Sequence, residues 1–556
     1  MNPDVSYDIF EAGYAIPLNF KNPAEANYEI TNPIQLQYNI GVLDINLPKL
    51  APSEYVRTSI AEIRRVNMMG GEFPEADKSH LIYWYTDGIL NKLKTSINEI
   101  NEDVLEEVCY FQVHERDAFE HNRIKHDSTP NKWRECIVLA LSTLSVRVGS
   151  SKSSFKELFK YALYCYSFNA SVRKEGCQLP SDAMKNFLRK YSANNFDFNN
   201  AHDIEMLRIL MKTSNQELHE ITMLKAALMT KISQLDMTKD YTLSTCSSIL
   251  YCICKFNYSS IKSTLLTTRA NSAIMKISIK LRNSNPSVSD MINCLDALLE
   301  YNDLNYVITE RNIDINTLII RICSNPSLIC RDERCTVVRC IANYMCIGYL
   351  TETKRVGIMS MYNTVRETVV SLYPTINTRD HLSLTALRRA NALVSKVLGV
   401  ELDATGLFND EVLAIMLNLH AYDVKDPIIS DPQCALYTQL VKNTSRYDVE
   451  LECSVLPDCS GDIVLTSRVH ANSKKIVIEY DGVHHRMINL TSERETLRTT
   501  IRNVFYTEYN DYRLVKVTSA EGDGRCNNNN PGRFARLAGQ IIATVSSNVN
   551  KKNFEF

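Results

Sequence analysis

From about residue 53 to about residue 450 the apolar residues of this chain recur at helical intervals, and no convincing strand-rich block interrupts them. "SEYVRTSIAEIRRVNMM" opens on Ser53 and Glu54 and then carries an apolar face of period 3.6. "SSFKELFKYALYCYSF", "DIEMLRILMKTS" and "NQELHEITMLKAALMTKISQL" continue the pattern. A chain of 556 residues holds either three or four ordinary domains or one long repeat array with a cap. The second alternative fits a run of this kind.

Three segments test it. "STCSSILYCICKFNY" begins at Ser244, "SDMINCLDALLEYND" at Ser289 and "TVVRCIANYMCIGYL" at Thr336, offsets of 45 and 47 residues. Each opens on a small polar residue and repeats apolar positions on one helical face. The period matches two helices plus turns, the unit of an α-solenoid in which each pair buries its apolar face against its neighbours. The register predicts Leu250, Leu295 and Ile341 as buried positions.

Residues 1–52 differ. They carry prolines at 3, 17, 23, 33, 48 and 52 with no helical period, which predicts an extended arm suited to lie along a partner. After Asp458 the texture changes again. "GDIVLTS" and "KKIVIEYDG" predict two strands joined by a turn at Ala471-Asn472-Ser473. "SERETLRTTIRNVFYTEY" predicts a helix capped by Ser492, "YRLVKVTSA" a third strand and "GRFARLAGQIIATVSSNV" a closing helix. The expected organisation is an arm over 1–52, a helical array over 53–450, an α/β module over 451–548 and a tail over 549–556.

Hydrophobic residues make up 45% of the chain, enough for packed cores, and the formal net charge of −2 argues against indiscriminate polyanion binding. Charge is nevertheless uneven. Residues 1–110 hold 17 acids against 8 Lys and Arg, whereas residues 111–191 hold 8 against 14. The seventeen cysteines form no Cys-x-x-Cys pair, so they read as reduced core thiols rather than zinc ligands. No apolar run approaches the ~20 residues of a membrane span. "MNPDVSYDIFEAGYAIP" is acidic and lacks arginine, unlike a secretory or organellar leader, although a processed precursor would look the same.

Chemistry concentrates at the end of "IVIEYDGVHH", residues 476–485. Glu479 and Asp481 are two apart on a strand and share a face, and a paired hairpin brings Asp462 toward them. Three carboxylates at a strand end can hold magnesium, which in turn can activate water against a phosphodiester. His484 and His485 follow the Gly482 turn, where one can act as an acid or touch phosphate. On the next helix Arg494, Arg498 and Arg502 recur every four residues beside a buried face of Leu497, Ile501, Val504 and Phe505. "RVGSSKSSFKELFK" offers a second basic candidate in Arg147, Lys152 and Lys156. "EGDGRCNNNNPGRF" lacks Gly-Lys-Ser/Thr and reads as a loop.

"GDIVL" followed by "KKIVIEYDGVHH" resembles the RAP domain, a small C-terminal module of apicomplexan, chloroplast and mitochondrial RNA-metabolism proteins that also occurs in the FAST kinase-domain family. The resemblance covers about residues 450–545 and rests on Glu479, Asp481, Gly482 and either His484 or His485. Val483 stands where the family commonly has proline. It implies a mostly α protein, a helical-repeat or α-solenoid-like array followed by a small C-terminal α/β restriction-endonuclease-like RAP domain. The implied function is binding of organellar RNA, a ribosomal RNA or a transcript awaiting processing, in a mitochondrion. Ribosomal proteins are the implied partners of the arm and the array. Two alternatives stand beside it: a metal-dependent endonuclease using Asp462, Glu479, Asp481 and His484 with magnesium, and a helical protein-interaction scaffold. The nuclease relatives usually place a lysine two residues after the glutamate, and here that position is Asp481. The binding reading therefore requires no cofactor.

Overall fold

A computed structural model describes residues 47–68, 75–121, 129–167, 179–191, 196–212, 218–256, 263–329, 331–348, 386, 431–456, 459–469, 474–481, 490, 495–509, 512–518, 531–547 and 553–555. The expected arm lies almost wholly outside these residues, as do the 471–473 turn, the 482–489 segment with both histidines, Arg494 and residues 521–530 of the asparagine-rich loop, whose last four residues, 531–534, are helical. The chain is mostly helical and ends in a small sheet. It divides into two compact units, Met1–Leu224 and Lys225–Phe556.

The first unit contains α1 (Pro52–Met68), α2 (Glu75–Ser96), α3 (Glu102–His121), α4 (Thr129–Arg147), α5 (Phe155–Ser167), α6 (Ser181–Lys190) and α7 (Ala201–Lys212). Helix α1 begins at Pro52, whose missing N–H costs nothing in a first turn. Ser53, read from sequence as the opening residue of this helix, instead bonds across to the end of the next hairpin. It donates to the Glu99 carbonyl and accepts from the Asn101 amide. Each helix packs on its sequence neighbour or on the helix two places on: α1 on α3, α3 on α5 and α5 on α7, with α2 on α4 and α4 on α6. The core between them is aromatic, with Tyr85, Phe111, Trp133, Phe159 and Phe187 fully buried. Phe111 and Trp133 meet edge to face at 5.0 Å.

Polar groups tie these layers together at a regular sequence separation. Arg57 pairs with Asp103, Arg64 with Glu107, Lys94 with Glu135, Lys152 with Glu106, Lys156 with Asp203 and Lys160 with Glu205. All six span about one helical pair of sequence, close to the 45–47 residues noted around Ser244. Helix ends are closed in the same way. Arg147 donates to the carbonyls of Ile97 and Ile100, and Lys190 to those of Ser145, Val146 and Val148. Each places a cation on the exposed carbonyls at a helix C-terminus.

After α8 (His219–Gln234), which carries the division between the units, the second unit contains α9 (Leu243–Lys255), α10 (Ser263–Asn283), α11 (Val288–Glu300), α12 (Ile315–Cys323) and α13 (Arg331–Gly348). Thr242, Ser287 and Asp314 cap α9, α11 and α12, each accepting the amide three residues on. Helix α9 packs on α11 and α11 on α13. Leu250, Leu295 and Ile341 are buried along that stack, as expected, although Ile341 stands one position ahead of the other two in the aligned segments, where Ala342, also buried, is their equivalent. Lys255 pairs with Glu300 and Arg339 with Asp296, so the cross-links of the first unit recur here. The cysteines described in these helices are buried and form no disulfide.

The sheet module starts earlier than its composition suggests. It includes α14 (Asp431–Asn443), assigned from sequence to the helical array, and β1 (Tyr447–Leu456), which straddles the expected boundary at 450/451. There follow β2 (Cys459–Ser467), β3 (Ile476–Asp481), α15 (Leu497–Val504), β4 (Arg513–Thr518), α16 (Pro531–Ser547) and β5 (Asn553–Glu555). The expected tail therefore contains a strand. The five strands run in the order β1-β2-β3-β4-β5, the first three antiparallel and β3, β4 and β5 parallel. Alternation sorts the two faces. Ile463, Leu465, Ile476, Ile478, Val515 and Val517 face α14 and α16 and form the larger core with Leu436, Leu440, Phe534 and Ile541. Val464, Val477 and Leu514 face the other way, against Tyr506. Helix α15 starts later than expected, with Thr496 rather than Ser492 as its cap.

Candidate nucleic-acid interface at the end of the third strand

The second face of the sheet changes character toward the C-terminal end of β3. Val477 is apolar; two residues on, Glu479 points the same way and is completely buried. Parallel pairing sets Lys516 of β4 beside Glu479, and the antiparallel register of β2 continues toward Asp462 on the other side. Four apolar residues of α15 and the turn after it, Leu497, Ile501, Val504 and Phe505, are buried as expected.

This burial turns the helix so that its arginines do not act alike. Arg502 points inward, and its guanidinium lies 2.7 Å from the Glu479 carboxylate. Arg498, one turn earlier, is exposed. The stripe inferred from a four-residue spacing is thus split between the interior and the surface. Arg494 lies outside the described residues. A fully buried carboxylate needs a countercharge, because low-dielectric surroundings penalise a lone ion by several kcal/mol. Arg502 supplies it.

Neighbouring groups extend the arrangement. Asp462 accepts a hydrogen bond from the Tyr480 amide at 2.7 Å, tying β2 to the end of β3. Glu495, just ahead of α15, is paired with Lys516 and accepts from Asn503 at 3.0 Å. Asn302, in the turn after α11, donates to the Glu495 carbonyl at 2.9 Å and to the Thr500 hydroxyl at 2.7 Å. Its backbone has φ of 53°, a conformation that asparagine tolerates better than most residues. Helix α15 is therefore held by the sheet and by the helical stack, since α13 also packs on it.

The amino-acid pattern singles out neither Lys516 nor Asn302. The signal for Lys516 is alternation within "YRLVKV", which puts it on the face of Leu514. Asn302 leaves no local signal, being far from the module in the chain. Lys516 bears on the nuclease alternative, because it brings to this face the lysine that Asp481 displaces from β3. Asp462 accepts a backbone amide and Glu479 lies against Arg502, so a divalent ion at these two carboxylates would compete with both partners. The side chain of Asp481 and all of His484 and His485 lie outside the described residues.

The second basic candidate is committed elsewhere. Arg147 closes a helix end, Lys152 bridges Glu102 and Glu106, and Lys156 is bound to buried Asp203. These cations are parts of the inter-helix cross-links.

No family model, curated protein or solved structure matches the chain. Among the described residues no helix is long and apolar enough to cross a membrane.

Proposed function

We propose that the chain is an RNA-binding protein of the RAP-domain type, with a helical-repeat, α-solenoid-like array carrying a C-terminal module that contacts RNA. The observation that carries this reading is the Glu479–Arg502 pair. A cluster of acids repels phosphate. Here Glu479 is neutralised by Arg502 and Glu495 by Lys516, so the strand end acts as a braced corner rather than a negative field. Arg498 remains exposed beside it, and Gly482-Val483-His484-His485 follows β3 directly in the sequence.

The RNA in this reading is an organellar one, a ribosomal RNA or a transcript in processing, and the compartment is the mitochondrion. Contacts with ribosomal proteins fall to the array and the N-terminal arm. The motif "IVIEYDGVHH" supports the RNA-binding part of this reading, and the inter-helix ladder supports its helical-array part.

Crosslinking the protein to RNA in cells and sequencing the attached fragments tests the reading. Enrichment of one organellar RNA is expected. Recovery no greater than that of an unrelated helical protein would overturn it. A second reading, cleavage, draws on Lys516 alone; it requires Glu479 to exchange Arg502 for a metal ion.

A further inference from the structure

The opposite end of the same sheet is basic. Arg446 stands immediately before β1 and Arg468 immediately after β2, with the Arg468 amide bonded to the Arg446 carbonyl at 2.8 Å. The β2–β3 register, in which Leu465 faces Ile476, brings Lys474 and Lys475 to the same edge. The Arg513 amide donates to the Lys475 carbonyl, fixing the start of β4 there too. Lys442 occupies the last turn of α14, four residues before Arg446. Lys442, Arg446, Arg468 and Lys474 are exposed, and Lys475 is partly so. The acids described nearby are Asp448, which pairs with Arg468 at 2.7 Å on the surface, and Glu450 further along β1. Tyr447 and Tyr512, each half-buried, begin β1 and precede β4 at this end.

We infer that this edge, formed by Lys442, Arg446, Arg468, Lys474 and Lys475, is a phosphate-binding surface for the backbone of single-stranded RNA. Five cations from four separate segments converge on one strip, with the paired Asp448 and, further along β1, Glu450 as the acids described beside them. A local excess of exposed positive charge attracts a polyanion to this edge. Long flexible lysines and arginines facing solvent suit backbone contacts, which fix position without reading bases, and the two tyrosines offer ring surface beside them. The surface-exposed Asp448–Arg468 pair adds little stability, so its arginine is easily turned toward phosphate.

The inference rests on the RNA-binding reading, and the experiment separates the two. The full chain and a variant carrying Lys442→Ser, Arg446→Ser, Lys474→Ser and Lys475→Ser are titrated with a labelled single-stranded RNA oligonucleotide over a range of salt. Circular dichroism melts of both check that the exposed substitutions leave the fold intact. The variant is expected to bind more weakly, with a salt slope shallower by about 0.7 for each phosphate contact removed. Equal affinity and equal slope in a folded variant would overturn the basic edge while leaving RNA binding in place. If the unaltered chain binds no RNA at low salt, the functional reading fails and the edge fails with it. A variant that loses heparin binding but keeps RNA binding would also overturn the proposal, marking the strip as a generic polyanion patch.

Discussion

The Arg502 guanidinium lies 2.7 Å from the carboxylate of Glu479, a side chain with no exposure to solvent, and so a helix is fastened to the strand that carries the motif. Removing one partner strands the other charge. Glu479→Ala is expected to destabilise the second unit by about 3–5 kcal/mol, measured by denaturant unfolding. Replacing both residues with apolar groups of similar volume, Glu479→Leu with Arg502→Met, should recover most of that loss. A single variant no less stable than the parent would contradict the pairing.

Asn302 makes a different kind of link, joining the helical stack to α15. Asn302→Gly keeps the positive φ accessible but deletes both hydrogen bonds, at an expected cost of about 1–2 kcal/mol. Asn302→Ala adds the penalty for a left-handed alanine, a further ~1 kcal/mol. Hydrogen exchange should speed up selectively in α15 in both variants. Unchanged protection there would show that the two Asn302 hydrogen bonds do not hold the helix.

The stack itself is legible in the amino-acid pattern. Leu250, Leu295 and Ile341 can be placed from it because a helix that packs on both sides repeats its apolar face along the chain. Leu250→Ala, Leu295→Ala and Ile341→Ala should each cost about 2–5 kcal/mol, read from denaturant midpoints. Losses at all three well below that range, within the roughly 0.5 kcal/mol typical of surface substitutions, would mean the stack tolerates cavities that close packing does not permit.

Other features are less legible, for physical reasons. The edge strand β1 alternates Val449 and Leu451 with Asp448 and Glu450, too few apolar residues to stand out from the helices before it. The regular spacing of Arg494, Arg498 and Arg502 suggests one outward face. Burial of Leu497, Ile501 and Phe505 sets the rotation of the helix, and that rotation turns Arg502 inward. The patch around Arg147 reads as free cations because its acids, Glu102, Glu106 and Asp203, come from other helices. Pairings that close over about 45 residues leave no trace in a local window.

Lys225 provides a pH test of the second unit. It is nearly fully buried near the Phe256 ring, and desolvation lowers its pKa from 10.5 to about 8. Between these values the unfolded chain holds a proton that the folded one has released, so stability should rise as pH increases from 8 to 10.5. At neutral pH the buried charge costs on the order of 3 kcal/mol, at about 1.4 kcal/mol per pH unit. Lys225→Met should therefore stabilise the protein at neutral pH and flatten the rise above pH 8. A rise of the same size in the variant would assign it to another group.

The central claim is that this chain binds RNA and leaves it intact. The direct measurement incubates purified full-length protein with end-labelled single-stranded RNA at low salt, with magnesium or manganese, and resolves the products on native and denaturing gels. A retarded complex on the native gel and full-length RNA on the denaturing gel are expected. No retardation, or cleavage that a chelator abolishes and Glu479→Gln removes while the fold persists, would contradict it.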